Sequence, residues 1–424
     1  MVITVILFFL SVVGVRGQTS NKCSLSEASE SSLGQYAEKR DFNAGTLLSE
    51  CWGSGVITAN EKTKCLDTIK TNYLKMRVNY QLSWRSIEPR QGEIDWTTFD
   101  EAINFARSND IKMHYFHLIW SNHERYIFSP DWVFPGRTET SCGTRTKAQL
   151  EQIMKEHIQG MIRRGGDTVT VWNVVNEAFE EDGTMLNDCY YKIIGPDYID
   201  KAFRFAREAT PKGILVLNDF FPGSIFRNKA SGFFKYIKAA KDRGVPIDAV
   251  GLQNHQLKVG DYAFSSDYTD DLNYFFQKAK DIGVKVFITE MDIYQAGHTQ
   301  SELSKVYQNI TALCLKYDNC VSLASWGLSD KNSWARTPGH ANLPDAKPLL
   351  FDDNYLRKPA YYGVMAAIKE NTTRQCVDIP SSTPTQKPTN VPTDPPSSKC
   401  LQCPSTFACY KNDGDYKWFG KGMP

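Results

Sequence analysis

No stretch of this 424-residue chain holds 18 consecutive apolar residues, roughly the number an α-helix needs to cross a bilayer. The mature chain is therefore expected to be soluble and free of a membrane. Charge of one sign is also lacking: 49 basic against 48 acidic side chains leave a net +1. Nothing here forms the basic footprint that nucleic acid or an anionic membrane would select. No short internal repeat of the solenoid type is present. A metal-ligand pattern is nearly absent too. The single CxxC, Cys400 to Cys403, has neither a second pair nor a nearby histidine, so a disulfide suits it better than zinc.

Cysteine itself is plentiful, with eleven residues, an odd number that implies disulfides and one left over in an oxidising compartment. Cys51 with Cys65, Cys142 with Cys189, and Cys314 with Cys320 are candidate local pairs. Residues 2–13, VITVILFFLSVV, followed by Gly14-Val15-Arg16-Gly17, read as a secretory signal peptide over residues 1–17. Two sequons, at Asn309 and Asn371, fit a secreted glycoprotein. Near the other end, residues 380–399 are dominated by Pro, Ser and Thr. Such a segment cannot bury a core and reads as an extended linker. The cysteine-containing residues 400–424 are too few for a core without disulfides; they read as a truncated sugar-binding module or an unstructured tail. That leaves residues 18–379 for one large domain.

Within it, strand-like and helix-like segments alternate. The predicted strands are 44–48, 74–79, 112–120, 168–176, 214–218, 249–253, 284–289 and 321–326. Between them run patterns such as FDEAINFARSND and GFFKYIKAAKDRG, with apolar residues three and four apart and a closing Gly or Asn. Eight strands separated by helices predict an α/β fold, a (β/α)8 TIM barrel, because parallel strands need crossovers. In that fold chemistry sits at the C-terminal ends of the strands.

Two of those ends carry a glutamate: Glu177 after VTVWNVVN and Glu290 after VKVFIT. One such acid alone is usually a solvated loop residue, as His255 alone is usually a structural histidine. Together, after strands four, six and seven of one barrel, they suggest paired carboxylates. Cleaving a glycosidic bond needs such a pair, one acid and one base or nucleophile flanking the scissile oxygen. Asn176 beside Glu177, and Asp292 with His255 beside Glu290, would orient and tune it.

These residues carry a family resemblance. WNVVNEAF at 172–179 and VFITEMDI at 286–293 resemble the acid/base and nucleophile signatures of glycoside hydrolase family 10. LNDFF at 217–221, IDAVGLQNHQ at 247–256 and SWGLSDKNSW at 325–334 are similar to further runs of that family, as is the Cys314–Cys320 spacing. The resemblance implies a retaining endo-β-1,4-glycanase, chiefly a xylanase, acting by double displacement without cofactor or metal. It implies Glu177 as general acid/base and Glu290 as nucleophile. Asn176 would bond the sugar 2-hydroxyl. Gln253 and His255 would line the same subsite, with Asp292 holding His255. Trp84, Trp120, Trp326 and Trp334 would contact substrate. A secreted monomer acting on xylan is the expectation.

The chain also departs from the family. In NYQLSW, 79–84, Asn79-Tyr80 and Ser83 stand where Glu-Asn and Lys are expected. In YFHLIWS, 115–121, Phe116 and Ser121 replace two histidines. His117, one place off, is expected to face away, since neighbouring strand residues point to opposite sides. Phe116 and Tyr80 could accommodate a different sugar, so β-1,4-glucan (cellulose-like) activity is a companion expectation. A mainly glucan-cleaving enzyme, or a non-catalytic carbohydrate-binding barrel, is the alternative.

Overall fold

The computed structural model describes residues 32–52, 58–74, 76–120, 128–138, 140–257, 260–337, 341–371, 373–374, 407–412 and 415–420. The expected signal peptide, the linker at 380–399, the Cys400–Cys403 pair and Ser121 lie outside the described residues. The chain divides into two compact units, Met1–Asp378 and Ile379–Pro424. Among the described residues no helix is long and apolar enough to cross a membrane.

The first unit is a (β/α)8 barrel. Its strands are β1 (Asn43–Gly45), β2 (Arg77–Gln81), β3 (Lys112–Phe116), β4 (Val169–Asn176), β5 (Ile214–Asp219), β6 (Ala249–Leu252), β7 (Lys285–Ile293) and β8 (Cys320–Ser325). They pair in parallel in chain order from β2 to β8, and β8 pairs with β1. Backbone bonds from Asn79 to Thr46 (2.8 Å) and from Leu48 to Asn79 (2.7 Å) close the ring between β1 and β2. Each strand is followed by a helix: α1 (Ala59–Asn72), α2 (Thr97–Ser108), α3 (Lys147–Gly165), α4 (Tyr198–Ala209), α5 (Phe226–Asp242), α6 (Ser266–Ile282), α7 (Gln300–Lys316) and α8 (Pro359–Glu370).

The helices start where side chains can satisfy their free N–H groups. Reciprocal capping boxes, Thr58 with Glu61, Thr146 with Gln149 and Thr299 with Glu302, open α1, α3 and α7. In α4 the buried residues Tyr198, Ile199, Ala202, Phe203 and Ala206 form one stripe facing the sheet.

The strands are buried on both faces, as barrel strands must be. On the inner face Val171, Val216, Ala249 and Phe287 pack as one layer. The outer residues Trp172, Leu215, Leu217 and Val250 join the core shared with the helices. Strand side chains alternate with a period of two, so the next inner layer is Asn173, Asn218, Gly251 and Thr289. The barrel interior thus turns from apolar to polar within one step toward its C-terminal mouth.

Two irregularities aim the site. Between Asn173 and Val175 β4 carries one residue more than β5, which puts Asn176 opposite Asn218. Between Ile288 and Met291 β7 carries one residue more than β8. Such bulges reverse the inward parity, and they turn Asn176, Glu290 and Asp292 toward the mouth. The expected strand 284–289 accordingly runs on to Ile293, held there by His255–Gln256 pairing with Asp292–Ile293, so Glu290 lies within β7 rather than after it. The expected strand 112–120 is split, with Ile119–Trp120 pairing separately with β4.

Cys51–Cys65, Cys142–Cys189 and Cys314–Cys320 are all bonded. In the second unit β9 (Phe407–Asn412) pairs antiparallel with β10 (Asp415–Gly420). A wholly unstructured tail is thereby corrected to one containing a strand pair.

Candidate active site

Glu177 follows β4 in a left-handed backbone conformation, φ 52°, and its N–H donates to the Asn218 carbonyl at 2.9 Å. Gln253 and Trp120 grip its carboxylate. Gln253 donates to Oε1 at 2.8 Å and the indole of Trp120 to Oε2 at 3.1 Å. Glu290, 3% exposed, is held differently. Asn218 Nδ2 donates to its Oε1 at 2.7 Å, and His255 Nε2 lies 3.1 Å from its Oε2.

The Asn176 carbonyl oxygen links the two acids. It accepts from Asn218 at 2.7 Å, from Gln253 at 3.4 Å and from Asn173 at 3.3 Å. Asn218, bonding both Asn176 and Glu290, is fixed in turn by the Thr289 hydroxyl on its Oδ1 at 2.7 Å. Gly251 makes room for it: a Cβ there would meet Asn218 Oδ1 at 2.0 Å. His255 Nδ1 lies 2.7 Å from Asp292 Oδ1, and Trp334 donates to Asp292 Oδ2 at 2.6 Å.

Burial raises both acids, but different neighbours act on each. Burial raises the Glu177 carboxyl to about 7, with the nearby Asp219 and Glu290 charges adding to the rise and the Gln253 bond opposing it. Burial acts against a charged His255, yet the Asp292 and Glu290 carboxylates outweigh it and raise the ring to about 10. Burial also pushes Glu290 upward, opposed by the His255 cation and the Asn218 amide. The His255 cation favours the charged form of Glu290, while burial and the neighbouring Asp219 and Glu290 charges favour the protonated form of Glu177.

Asn176 has no exposed surface; the β4 bulge turns it into the barrel, where its side-chain oxygen is shared among three amides. Trp84, expected on substrate, is 4% exposed; its ring stacks on His157 at 3.7 Å and meets Trp132 edge-on. Tyr80 cannot contact a sugar. Asn79 faces inward, donating to the Thr289 carbonyl at 2.6 Å, so Tyr80 faces outward, against Phe99 with its hydroxyl on the Thr98 carbonyl. Ser83 caps the turn 84–87. His117, expected to face away, lines one cavity with Phe116, Trp84 and Trp120. Strand pairing lapses after Phe116 and resumes at Ile119, so alternation does not carry across. Trp120, Trp326 and Trp334 are half-buried: Trp120 bonds Glu177, Trp326 lies edge-on to Phe116 (5.3 Å) and His255 (6.2 Å), and Trp334 to His255 (5.1 Å). Among the described residues no cluster of His, Cys, Asp or Glu could hold a metal ion.

Sequence reasoning left Asn218, Gly251, Thr289, Asp219 and Lys229 without roles. The run LNDFF held the signal for two of them, since an Asn-Asp pair ending an apolar strand needs partners once buried.

A (β/α)8 barrel presenting two carboxylates joined by one hydrogen-bonded bridge at its C-terminal mouth is the architecture of a barrel glycoside hydrolase. Residues 36–367 match the model of glycosyl hydrolase family 10. The chain is similar to endo-1,4-beta-xylanase D of Talaromyces funiculosus, 33% identical over 300 residues that cover 69% of this chain and 67% of that one. It is also similar to endo-1,4-beta-xylanase B of Thermotoga neapolitana, 28% identical over 79% of this chain and 90% of that one. The native xylanase 10B structure from Thermotoga maritima superposes with a TM-score of 0.68 at 28% identity, covering 80% of this chain and 98% of that one. This chain belongs to glycosyl hydrolase family 10 and is a glycoside hydrolase.

Proposed function

We propose that the protein is a secreted, monomeric endo-β-1,4-xylanase that works by double displacement, with Glu290 as nucleophile and Glu177 as general acid/base. The hydrogen-bonded bridge Glu177–Gln253–Asn176–Asn218–Glu290 carries the reading, because it fixes two carboxyls in one site while their surroundings assign them different protonation. Glu290, facing the His255 cation, attacks the anomeric carbon and forms a glycosyl ester. Glu177 gives its proton to the departing oxygen, then takes one from the water that cleaves the ester. The names of the relatives support xylan as the polymer. Three disulfides and an exposed Asn309 sequon support an oxidising, extracellular setting.

β-1,4-Glucan is a companion substrate in this reading. The half-buried Trp326 offers an aromatic wall, with the buried Phe116 packed edge-on against it, and Asn79 and Tyr80 are committed elsewhere, so recognition beside the acids demands few particular hydroxyls. Product analysis on xylan and soluble cellulose side by side tests the preference. Faster release from cellulose would reverse it.

A 2-fluoro-xylobioside with a good leaving group should trap an ester on Glu290, located by peptide mass analysis. An ester on another residue, or none with inversion at the anomeric carbon, would remove the double-displacement reading. Rate should need Glu290 ionised and Glu177 protonated, so kcat/KM should decline as pH rises through about 7.

A further inference from the structure

Behind Glu177 lies an ion pair that the reaction as described does not use. Asp219, the last residue of β5, and Lys229, one turn into α5, are both 0% exposed and 2.8 Å apart. Lys229 Nζ also sits 3.5 Å from the centre of the Phe220 ring. Burying such a pair gives stability no better, and often worse, than two apolar side chains of the same size. A purely structural joint between β5 and α5 therefore has little need of it.

Its contacts point toward the site. Asp219 Oδ2 accepts the N–H of Phe179 at 3.2 Å, two residues beyond Glu177. The Asp219 carbonyl accepts the N–H of Gln253, whose side chain grips Glu177. The preceding residue, Asn218, supplies the carbonyl for the Glu177 N–H and the amide for Glu290. The turn carrying Glu177 is thus tied to the end of β5 on both sides, and Lys229 holds the anion that makes one of those ties. The geometry points to Lys229 as a positioning residue for Glu177, clamping Asp219 against the turn that carries it and balancing its charge there; this rests on the proposed role of Glu177.

Besides Glu177, the buried Tyr198 of α4 faces Asp219, while across the site Glu290 acts on Glu177, and Glu290 and His255 act on each other. The Asp219 charge favours the protonated form of Glu177 and the Lys229 charge opposes it, the former more strongly.

The pH profile of kcat/KM on xylan separates positioning from mere support. In Lys229→Met, burial, which already raises the Asp219 carboxyl, should protonate it; with that charge gone from beside Glu177 the alkaline limb should move down by about one unit. In Asp219→Asn the uncompensated ammonium should move it down by about as much. The double variant leaves no lone charge in the core and is expected to fold if either single variant does not. Its limb should lie below that of the wild type, since the stronger influence is gone. Folded variants that lose activity or stability with the limb unmoved would overturn the inference and leave a structural ion pair. Glu177→Gln is the control: it should abolish the alkaline limb, and a limb surviving there would instead remove the role given to Glu177.

Discussion

Replacing Glu177 by Gln keeps the shape of the side chain and deletes its titration, which exposes what the site costs the fold. The native carboxyl binds its proton up to about pH 7, against 4.5 for a free glutamate side chain. A raised acid contributes stability while protonated, fully below the unfolded value, and loses it as pH rises through the folded value. Glu177→Gln should therefore match the wild type near pH 4 and exceed it by about 1–3 kcal/mol above pH 8. Solvent at the partly exposed carboxyl keeps the gain toward the lower figure. Urea unfolding at the two pH values measures it, and an equal difference at both would contradict the assigned shift. A second residue-scale prediction concerns Gly251. Its Cα hydrogen faces the Asn218 amide so closely that Gly251→Ala must displace that amide from both Asn176 and Glu290. Loss of one hydrogen bond to a charged group predicts a fall in kcat on the order of 10–100-fold. Unchanged kcat would show that Asn218 does not hold Glu290. Glu177, Glu290 and His255 stood out in the sequence because ionisable groups after apolar runs are conspicuous. Gly251 did not, since its function is to have no side chain beside a residue far away in the chain.

At the scale of the elements, periodicity located all eight strands, yet the orientation of the active-site residues came from what periodicity cannot show. A bulge is a mismatch between two strands, and neither VTVWNVVN nor VKVFITEMDI alone reveals the residue count of its neighbour. The same holds for Tyr80, whose outward direction follows from where Asn79 finds its acceptor on β7. Helix starts were written locally: Thr-x-x-Glu and Thr-x-x-Gln precede α1, α3 and α7. The Thr299 cap of α7 accepts from Glu302 N–H at 3.2 Å, and Glu302 reaches back to the Thr299 N–H at 2.8 Å. Thr299→Ala should cost about 1 kcal/mol. The cap is exposed and none of its bonds reaches the site. Thermal unfolding should show a lower midpoint while kcat/KM on xylan stays at the wild-type value, and a drop in activity would mean that α7 also steadies the site.

The whole molecule raises the question of where the catalytic unit ends. Every residue assigned to the site lies in the first unit, but the barrel does not finish with α8 at Glu370. Arg374 donates to the carbonyls of Leu315, Tyr317 and Cys320. Its own carbonyl accepts from the guanidinium of Arg40 at 2.6 Å. Arg40 is 1% exposed and also donates to the carbonyls of Ile368 and Lys369. Two arginines thus join the segment before β1, the end of α7 and the residues after α8, near the Cys314–Cys320 disulfide. A chain ending at residue 378 retains this clasp and should hydrolyse soluble xylan at the rate of the full chain. A chain ending at residue 371 leaves the Arg40 guanidinium short of an acceptor and three carbonyls short of a donor. Hydrogen bonds to charged groups contribute about 1.5–3 kcal/mol each, so a loss of several kcal/mol is expected, read as a lower unfolding midpoint. Arg374→Ala in the full chain should reproduce part of that loss. Equal midpoints for the two truncations would show that the barrel closes without its clasp, and would move the domain boundary back to the end of α8.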